Sequence, residues 1–143
     1  MKICIMGQGY IGLPTAALFT RHHCEVVGVD INEKIVENLN KGIIHIEEPG
    51  ISDIIKNAVN HKVYKASLTP EKADAFIITV PTPYIVENYS CDLSYVISAC
   101  ETILPYLEKG NTVIIESTIA PMSTDETIKP IFENAGFTIG EDL

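Results

Sequence analysis

The stretch "KICIMGQGYIGLPT", residues 2–15, decides the fold because it joins an apolar run to a glycine-rich turn and then to a helical pattern. The apolar run Lys2 to Met6 predicts a buried strand that ends at Gly7. Apolar residues then recur with a helical period from Tyr10 to Arg21, and Pro14 is tolerated near the first turn. A strand, a glycine turn and a helix in this order predict the first unit of an α/β fold.

Strands and helices continue to alternate after this unit. Residues 24–29, "CEVVGV", predict a second strand, and "INEKIVENLNKG" predicts a helix with Asn32 as its N-cap and Gly42 near its C-cap. The remaining predicted elements are strands over 62–67, 74–80, 112–117 and 137–140, helices over about 52–60, 92–107 and 123–134, and a brief helical turn after Thr69 and Pro70. This alternation predicts an α/β protein with a Rossmann-type, doubly wound parallel sheet in three α/β/α layers. We expect residues 1–143 to form one domain of this kind.

The charge balance excludes two classes of partner. The chain carries 10 basic and 19 acidic residues, a formal net charge of −9 that is spread along its length. Such a surface repels nucleic acid and anionic lipid, and no basic patch offsets it. We therefore expect neither a nucleic-acid nor a membrane partner. A phosphate ligand must be bound mainly by backbone N–H groups.

Cysteine and histidine usage bears on the cellular compartment. The four cysteines lack the spacing of a metal or redox pair, and the four histidines lack metal-ligand spacing, so we expect free thiols and no metal site. No leader precedes the first predicted strand, and no apolar run approaches the roughly 20 residues that span a bilayer. These features predict a soluble protein of the reducing cytoplasm.

Each glycine of "GQGYIG" has a physical role in a dinucleotide-binding turn. Gly7 permits a tight turn, Gly9 lacks the Cβ that would block a pyrophosphate, and Gly12 allows the helix to lie against the strand. The helix opening at Tyr10 and Ile11 then offers backbone N–H groups and a partial positive charge to the diphosphate.

Asp30 ends the second predicted strand, where its carboxylate can accept hydrogen bonds from the ribose hydroxyls of adenosine. A 2′-phosphate at that place would meet a like charge, so Asp30 favours NAD over NADP. Lys34, one helical turn later, is a further candidate for contact with a ribose or phosphate; a solvated helix residue is the alternative. FAD and the cofactor of a methyltransferase are the alternatives to NAD.

Three loops are expected to meet in one crevice, since ligands of an open parallel sheet gather at the carboxyl ends of its strands. These loops follow the first, fourth and fifth predicted strands and contain "GQGYIG", "VPTP" and "ESTIAP". Pro81, Thr82 and Thr118 are the candidate cofactor contacts in the later two loops. A threonine hydroxyl both donates and accepts beside ribose, a nicotinamide amide or water. Alternatively, Thr82 serves a turn and Thr118 a helix cap.

Six motifs occur in order along nearly the whole chain: "GQGYIGLPTAA", "GVDIN", "IEEPG", "VPTP", "DLSYV" and "IIESTIAP". Together they resemble the NAD-binding domain of the nucleotide-sugar 6-dehydrogenases, the UDP-glucose/GDP-mannose dehydrogenase family. Within that family, "VPTP" and "EST" are similar to the branch that acts on UDP-N-acetyl-D-mannosamine. The branches that act on UDP-N-acetylglucosamine and UDP-glucose are the alternatives.

The resemblance implies roles for particular residues. Tyr10 and Ile11 would contact the diphosphate of NAD through their backbone, Asp30 the ribose, and Thr82 and Thr118 the nicotinamide half. Thr118 would also support catalysis by helping to hold a water. Enzymes of this family oxidise the C6 alcohol of the sugar to a carboxylate with two NAD, through a cysteine-bound thiohemiacetal.

The resemblance also implies what these residues lack. The family's catalytic lysine, asparagine and cysteine lie beyond Leu143, so we expect the chain alone to bind NAD without catalysis. A UDP-sugar would bind only with the family's C-terminal domain, in a homodimer or larger assembly that serves capsule or surface polysaccharide synthesis. A free-standing nucleotide-sensing module is the alternative from another class, and the "VPTP" and "EST" loops argue against it.

Overall fold

The computed structural model describes residues 1–87 and 89–143. Within these ranges the strands are β1 (Lys2–Met6), β2 (Glu25–Val29), β3 (Tyr64–Ser67), β4 (Ala75–Ile78), β5 (Tyr84–Ile85), β6 (Ser90–Cys91) and β7 (Thr112–Ile115). The α-helices are α1 (Gly12–Arg21), α2 (Glu33–Asn40), α3 (Ile51–Asn60), α4 (Ser94–Ile103) and α5 (Lys129–Asn134). A 3₁₀ turn at Leu104–Tyr106 follows α4, and a π-helical segment at Thr124–Ile128 precedes α5.

The main sheet has the strand order β3-β2-β1-β4-β7, and every neighbouring pair in it is parallel. The order runs one way from β1 to β3 and the other way from β1 through β4 to β7. The chain therefore reverses direction across the sheet between β1 and β4, where a ligand crevice forms at the carboxyl ends of the strands. The predicted Rossmann-type architecture is confirmed.

Apolar side chains alternate between the two faces of the sheet and build two cores. Ile3 and Ile5 of β1 face α1 and α3, where Leu13 and Ile55 are fully buried. Cys4 of β1 faces the opposite layer, which α4 and α5 complete. Helices thus cover both faces, as a parallel sheet requires. No helix in the described ranges is long and apolar enough to cross a bilayer.

Two predicted elements are wrong. The segment after Thr69 and Pro70 forms no helical turn, because it runs directly toward β4 and Asp74 N–H donates to Lys2 O. Residues 137–140 form turns instead of a strand. Asp142 closes that turn, since its carboxylate accepts from Thr138 N–H at 3.0 Å and its own N–H donates to Thr138 O at 2.7 Å.

The helix boundaries also differ from the predictions, and prolines explain two of the differences. The helix predicted over 92–107 is regular only as far as Ile103 and tightens into the 3₁₀ turn that contains Pro105. The helix predicted over 123–134 begins with the π-helical segment, since Pro130 has no N–H to donate to a carbonyl four residues earlier. The first helix begins at Gly12, two residues later than predicted, so Tyr10 and Ile11 lie in the turn.

A short antiparallel hairpin between β5 and β6 was missed by the sequence patterns. Tyr84 pairs with Cys91, and Ile85 pairs with Ser90. Cys91, which directly precedes the helix predicted over 92–107, is therefore a strand residue. Two-residue strands carry no periodicity that would distinguish them from a loop.

Glu71 anchors the start of β1 to β3 through two lysines, and this cluster makes stability depend on pH. Its carboxylate accepts from Lys65 Nζ at 2.7 Å and Lys2 Nζ at 2.9 Å, and these bonds lower the pKa of Glu71. A lowered carboxyl pKa contributes stability above the usual glutamate pKa, and that stability disappears as the pH falls through the lowered value. We expect Glu71→Gln to lower the free energy of unfolding by about 1 kcal/mol or less at pH 7, because the group is partly exposed.

Urea denaturation at pH 7 and pH 3 measures this effect. At pH 3 the difference between Glu71→Gln and the wild type should shrink, because this pH lies below the usual glutamate pKa and the stability that the lowered Glu71 pKa contributes is progressively lost there. The exposed Glu37→Gln serves as the control and should match the wild type at both pH values. A Glu71→Gln deficit of equal size at both pH values would contradict the ion-pair explanation.

Candidate functional site

The glycine turn packs tightly against the end of β4. Gly7 has a φ of +93°, and its N–H donates to Val29 O at 2.7 Å. A Cβ at Gly7 would lie 2.8 Å from Thr79 O, and a Cβ at Gly12 would lie 1.9 Å from Gly7 O. Thr79 Oγ1 donates to Gly7 O at 2.8 Å and completes this contact. Both glycines therefore serve close backbone packing, as their positions in the motif predict.

Gly9 differs from its two neighbours in the motif, because a Cβ there would meet no atom within 4 Å. Its bare Cα instead faces the crevice. In the described ranges, the N–H groups of Tyr10 and Ile11 donate to no other residue, whereas Leu13 N–H is already bonded to Gly9 O at 3.1 Å. Free N–H groups at the start of α1, next to a glycine without a Cβ, fit a diphosphate.

Asp30 lies at the carboxyl end of β2, beside the glycine turn. Its Oδ2 accepts from Gln8 N–H at 3.0 Å, and its Oδ1 accepts from Asn32 N–H at 2.9 Å. Asn32 in turn caps α2, since its side chain accepts from Lys34 N–H and Ile35 N–H, as predicted. The carboxylate is therefore fixed by backbone donors, and each oxygen has a remaining lone pair available for a ligand hydroxyl.

One cavity of about 490 Å³ joins the glycine turn to Asp30. Its walls come from the ends of β1, β2 and β4, from the turn itself and from one face of α4. The lining residues are Met6, Gly7, Gln8, Gly9, Tyr10, Ile11, Val29, Asp30, Ile31, Ile35, His45, Leu68, Thr79, Val80, Pro81, Tyr95, Ser98, Ala99 and Thr102. The volume, the free N–H groups and the carboxylate suit a dinucleotide.

The structure places the predicted site residues in two groups. Gly7, Gly9, Tyr10, Ile11, Asp30 and Pro81 line the cavity, and Gly12 packs beneath it. Lys34, Thr82 and Thr118 are not among its lining residues.

The loops that carry Thr82 and Thr118 nevertheless meet, as predicted. Cys91 Sγ lies 3.8 Å from Thr82 O and 3.9 Å from Thr118 O, and so lies between the two loops. Ser117 Oγ strengthens this junction by donating to Val80 O at 2.8 Å. The backbone carbonyls of Thr82 and Thr118 therefore both approach Cys91, and Thr82 directly follows the cavity-lining Pro81.

Two potentially reactive side chains that do not line the cavity, Glu116 and Cys100, have ordinary structural explanations. Glu116, which directly follows β7, accepts from Thr15 Oγ1 of α1 at 3.1 Å. Cys100 is fully buried in α4, and burial raises the pKa of its thiol to about 12. A thiol with that pKa is protonated at neutral pH and is not a nucleophile.

Sequence patterns missed two contributions to the cavity. Tyr95, Ser98, Ala99 and Thr102 line it from α4, and their spacing of three and four residues places them on one helix face. That spacing is visible in the sequence, although nothing local shows which face meets the crevice. His45 lines the cavity from the loop between α2 and α3, and no sequence signal marks it.

Comparisons with known proteins agree with this geometry. The model of the UDP-glucose/GDP-mannose dehydrogenase family, NAD binding domain, matches residues 1–141. The chain is 49% identical over 135 residues to UDP-N-acetyl-D-mannosamine dehydrogenase of Methanococcus maripaludis strain C7, covering 92% of this chain and 31% of that protein. It is 50% identical over 125 residues to the enzyme of that name in Campylobacter jejuni, covering 87% of this chain and 30% of that protein.

A solved structure shows the same architecture. The UDP-N-acetyl-mannosamine dehydrogenase Cap5O from Staphylococcus aureus superposes with a TM-score of 0.95 at 50% sequence identity. The match covers 99% of this chain and 35% of that one. The chain thus spans about a third of the length of the proteins it resembles.

Proposed function

Since the chain belongs to the UDP-glucose/GDP-mannose dehydrogenase family, whose NAD binding domain matches residues 1–141, we propose that it is the cofactor-binding part of a UDP-N-acetyl-D-mannosamine 6-dehydrogenase. Such an enzyme oxidises the C6 hydroxyl of the sugar to a carboxylate. The oxidation removes four electrons, so it consumes two NAD, each of which accepts one hydride when bound. The observation that carries the proposal is the glycine turn with free N–H groups and Asp30 across one cavity.

The adenosine half of NAD would be held by residues on β1, β2 and α1. The N–H groups of Tyr10 and Ile11 bind the diphosphate, and Gly9 allows it to approach the backbone. Asp30 accepts hydrogen bonds from the ribose hydroxyls. Lys34, at the start of α2, is a further candidate for the ribose or a phosphate.

The nicotinamide half would lie toward the loops after β4 and β7. Pro81 lines that end of the cavity, and the backbone carbonyls of Thr82 and Thr118 both lie within 4 Å of Cys91 Sγ, which supports a role for the two threonines there. Thr118 would support the reaction by helping to hold a water, while the nucleophile and the other catalytic groups would come from the family's C-terminal domain. On this proposal, residues 1–143 are a single NAD-binding domain that does not catalyse alone.

The same proposal includes the assembly, the cellular compartment and the product of the complete enzyme. The complete enzyme would be a cytoplasmic homodimer or larger assembly that makes a uronic acid nucleotide for surface polysaccharide. The names of two relatives that are about 50% identical to this chain support the choice of UDP-N-acetyl-D-mannosamine as the sugar. On this proposal, most contacts to the sugar would come from the family's C-terminal domain.

Assays of the complete gene product with different UDP-sugars test the choice of sugar, with NADH formation followed by absorbance at 340 nm. We expect two NADH to form for each UDP-N-acetyl-D-mannosamine consumed, because the aldehyde stage is oxidised before release. UDP-N-acetylglucosamine and UDP-glucose should react at least about tenfold more slowly, the scale on which a site rejects a substrate lacking one good contact. Faster turnover of either of these sugars would replace the proposed substrate with that one.

A further inference from the structure

Gln8, between Gly7 and Gly9, directs its side chain into the protein interior although its backbone borders the crevice. The residue is 0% exposed. Its Nε2 donates to Ile5 O at 3.1 Å and to Gly7 O at 3.0 Å, and its Oε1 accepts from Tyr64 Oη–H at 2.9 Å. Tyr64 belongs to β3, two strands from β1. The side chain of Gln8 therefore ties the glycine turn to a distant strand.

Gly28 makes this tie possible. The Gln8 and Tyr64 side chains meet over β2, and a Cβ at Gly28 would lie 2.4 Å from Gln8 Oε1 and 2.5 Å from Tyr64 Oη. Any other residue at position 28 would occupy the space in which the two polar atoms meet. The bond therefore depends on a glycine in the middle of a buried strand, where glycine is otherwise unfavourable.

The backbone of Gln8 adds Asp30 to this chain of hydrogen bonds, because the Gln8 N–H donates to Asp30 Oδ2 at 3.0 Å. Gln8 thus connects the N–H groups proposed for the diphosphate with the carboxylate proposed for the ribose. Tyr64 is 3% exposed, and burial together with the charge of Asp30 raises its pKa. The phenol consequently stays protonated and remains a donor at physiological pH.

We propose that Tyr64 and Gln8 are positioning residues for the dinucleotide, which fix the glycine turn and Asp30 at the separation that the ligand requires. Without the Tyr64 hydroxyl, the Gln8 amide oxygen has no hydrogen-bond partner in the interior. The free-energy cost of this unsatisfied oxygen then favours conformations of the glycine turn other than the one that binds the ligand. The apparent affinity for the ligand then falls in proportion to the fraction of molecules that still have the binding conformation. This inference rests on dinucleotide binding by the domain and is independent of the sugar, so it can fail separately from the substrate assignment.

Calorimetric titration of Tyr64→Phe with NAD and with ADP-ribose tests the proposal. The titration is done well below the melting temperature of the variant, so that the protein is folded. The variant keeps the buried ring and removes only the hydroxyl. We expect the Kd for both ligands to rise about tenfold, since both carry the diphosphate and the adenosine ribose. Tyr106→Phe, which alters a tyrosine of the opposite core, is the matched control and should bind as the wild type does.

A purely structural role for Tyr64 would lower the melting temperature and leave both Kd values unchanged, and that result would overturn the proposal. A wild-type chain that binds neither ligand would overturn this proposal and the cofactor assignment together.

A second variant, Gln8→Met, tests whether the two residues act through one contact. Alone it should also raise the Kd for ADP-ribose about tenfold, and it carries the test if Tyr64→Phe does not fold. In the Gln8→Met background, Tyr64→Phe should cause no further loss of affinity, because its partner is already gone. Additive losses in the double variant would show independent effects and would overturn the proposed contact.

Discussion

Replacing Gly12 with alanine is expected to lower the free energy of unfolding by about 3 kcal/mol, which corresponds to a fall of roughly 10 °C in melting temperature. The added Cβ would lie 1.9 Å from Gly7 O and 2.4 Å from Thr79 Oγ1. The nearest of these atoms is a backbone carbonyl, which cannot rotate away as a flexible side chain can. Relief therefore requires α1 to move away from β1 and β4. Thermal and urea denaturation followed by circular dichroism measure the loss.

Gly9→Ala is the matched control, and we expect the opposite pattern from it. A Cβ at Gly9 meets no protein atom within 4 Å, so the free energy of unfolding should stay within about 0.5 kcal/mol of the wild-type value. The methyl group instead points into the space proposed for the diphosphate, so NAD affinity should fall about 100-fold or more, as expected when a close backbone approach is blocked. A destabilised Gly9→Ala or a stable Gly12→Ala would contradict the assigned roles of the two glycines.

Asp30→Ala is expected to raise the Kd for NAD by roughly 10- to 100-fold. Hydrogen bonds to a charged group contribute about 1.5–3 kcal/mol, and the ribose would lose its charged acceptor. The variant also frees the N–H groups of Gln8 and Asn32, which both donate to Asp30 in the wild type. Part of the loss of NAD affinity would therefore come from a less ordered glycine turn.

Calorimetric titration with NAD and NADP separates the charge effect from the loss of order. The wild type should bind NADP at least about tenfold more weakly than NAD, because the 2′-phosphate meets the carboxylate, and Asp30→Ala should narrow that difference. Asp53→Ala, which removes an exposed acid from the first turn of α3, is the control and should retain wild-type affinities. Equal affinity of the wild type for NAD and NADP would contradict the proposal that Asp30 selects NAD over NADP.

The strands of the main sheet and the glycine turn could be predicted because their signals are local. Lys2–Met6 is a continuous apolar run that stops at a glycine, and Asn32 is a capping residue directly before a helical period. A buried parallel strand and a capped helix each leave such a signature within about ten residues. The positions of Gly7, Gly9, Asp30 and Pro81 around one cavity then followed from the topology.

The rest of the site depends on contacts between residues far apart in the chain. Gln8 and Tyr64 are 56 positions apart, and neither residue type alone predicts a buried hydrogen bond. The β5–β6 hairpin is too short to have a period, and the face of α4 that lines the cavity is fixed by packing on β4. Thr82 and Thr118 do not line the cavity, and their positions likewise depend on how two loops that are distant in sequence pack around Cys91.

Gly28 has a consequence for anyone who engineers this domain for heat resistance. Strand propensity alone recommends valine or isoleucine at that position, in the middle of β2 and flanked by Val27 and Val29. Either change would improve the strand by local criteria while forcing apart the phenol and the amide that cross above it. A stabilisation scheme that scores each position only by its own secondary structure would thus overpack the interior at this site and lower the stability that it was meant to raise.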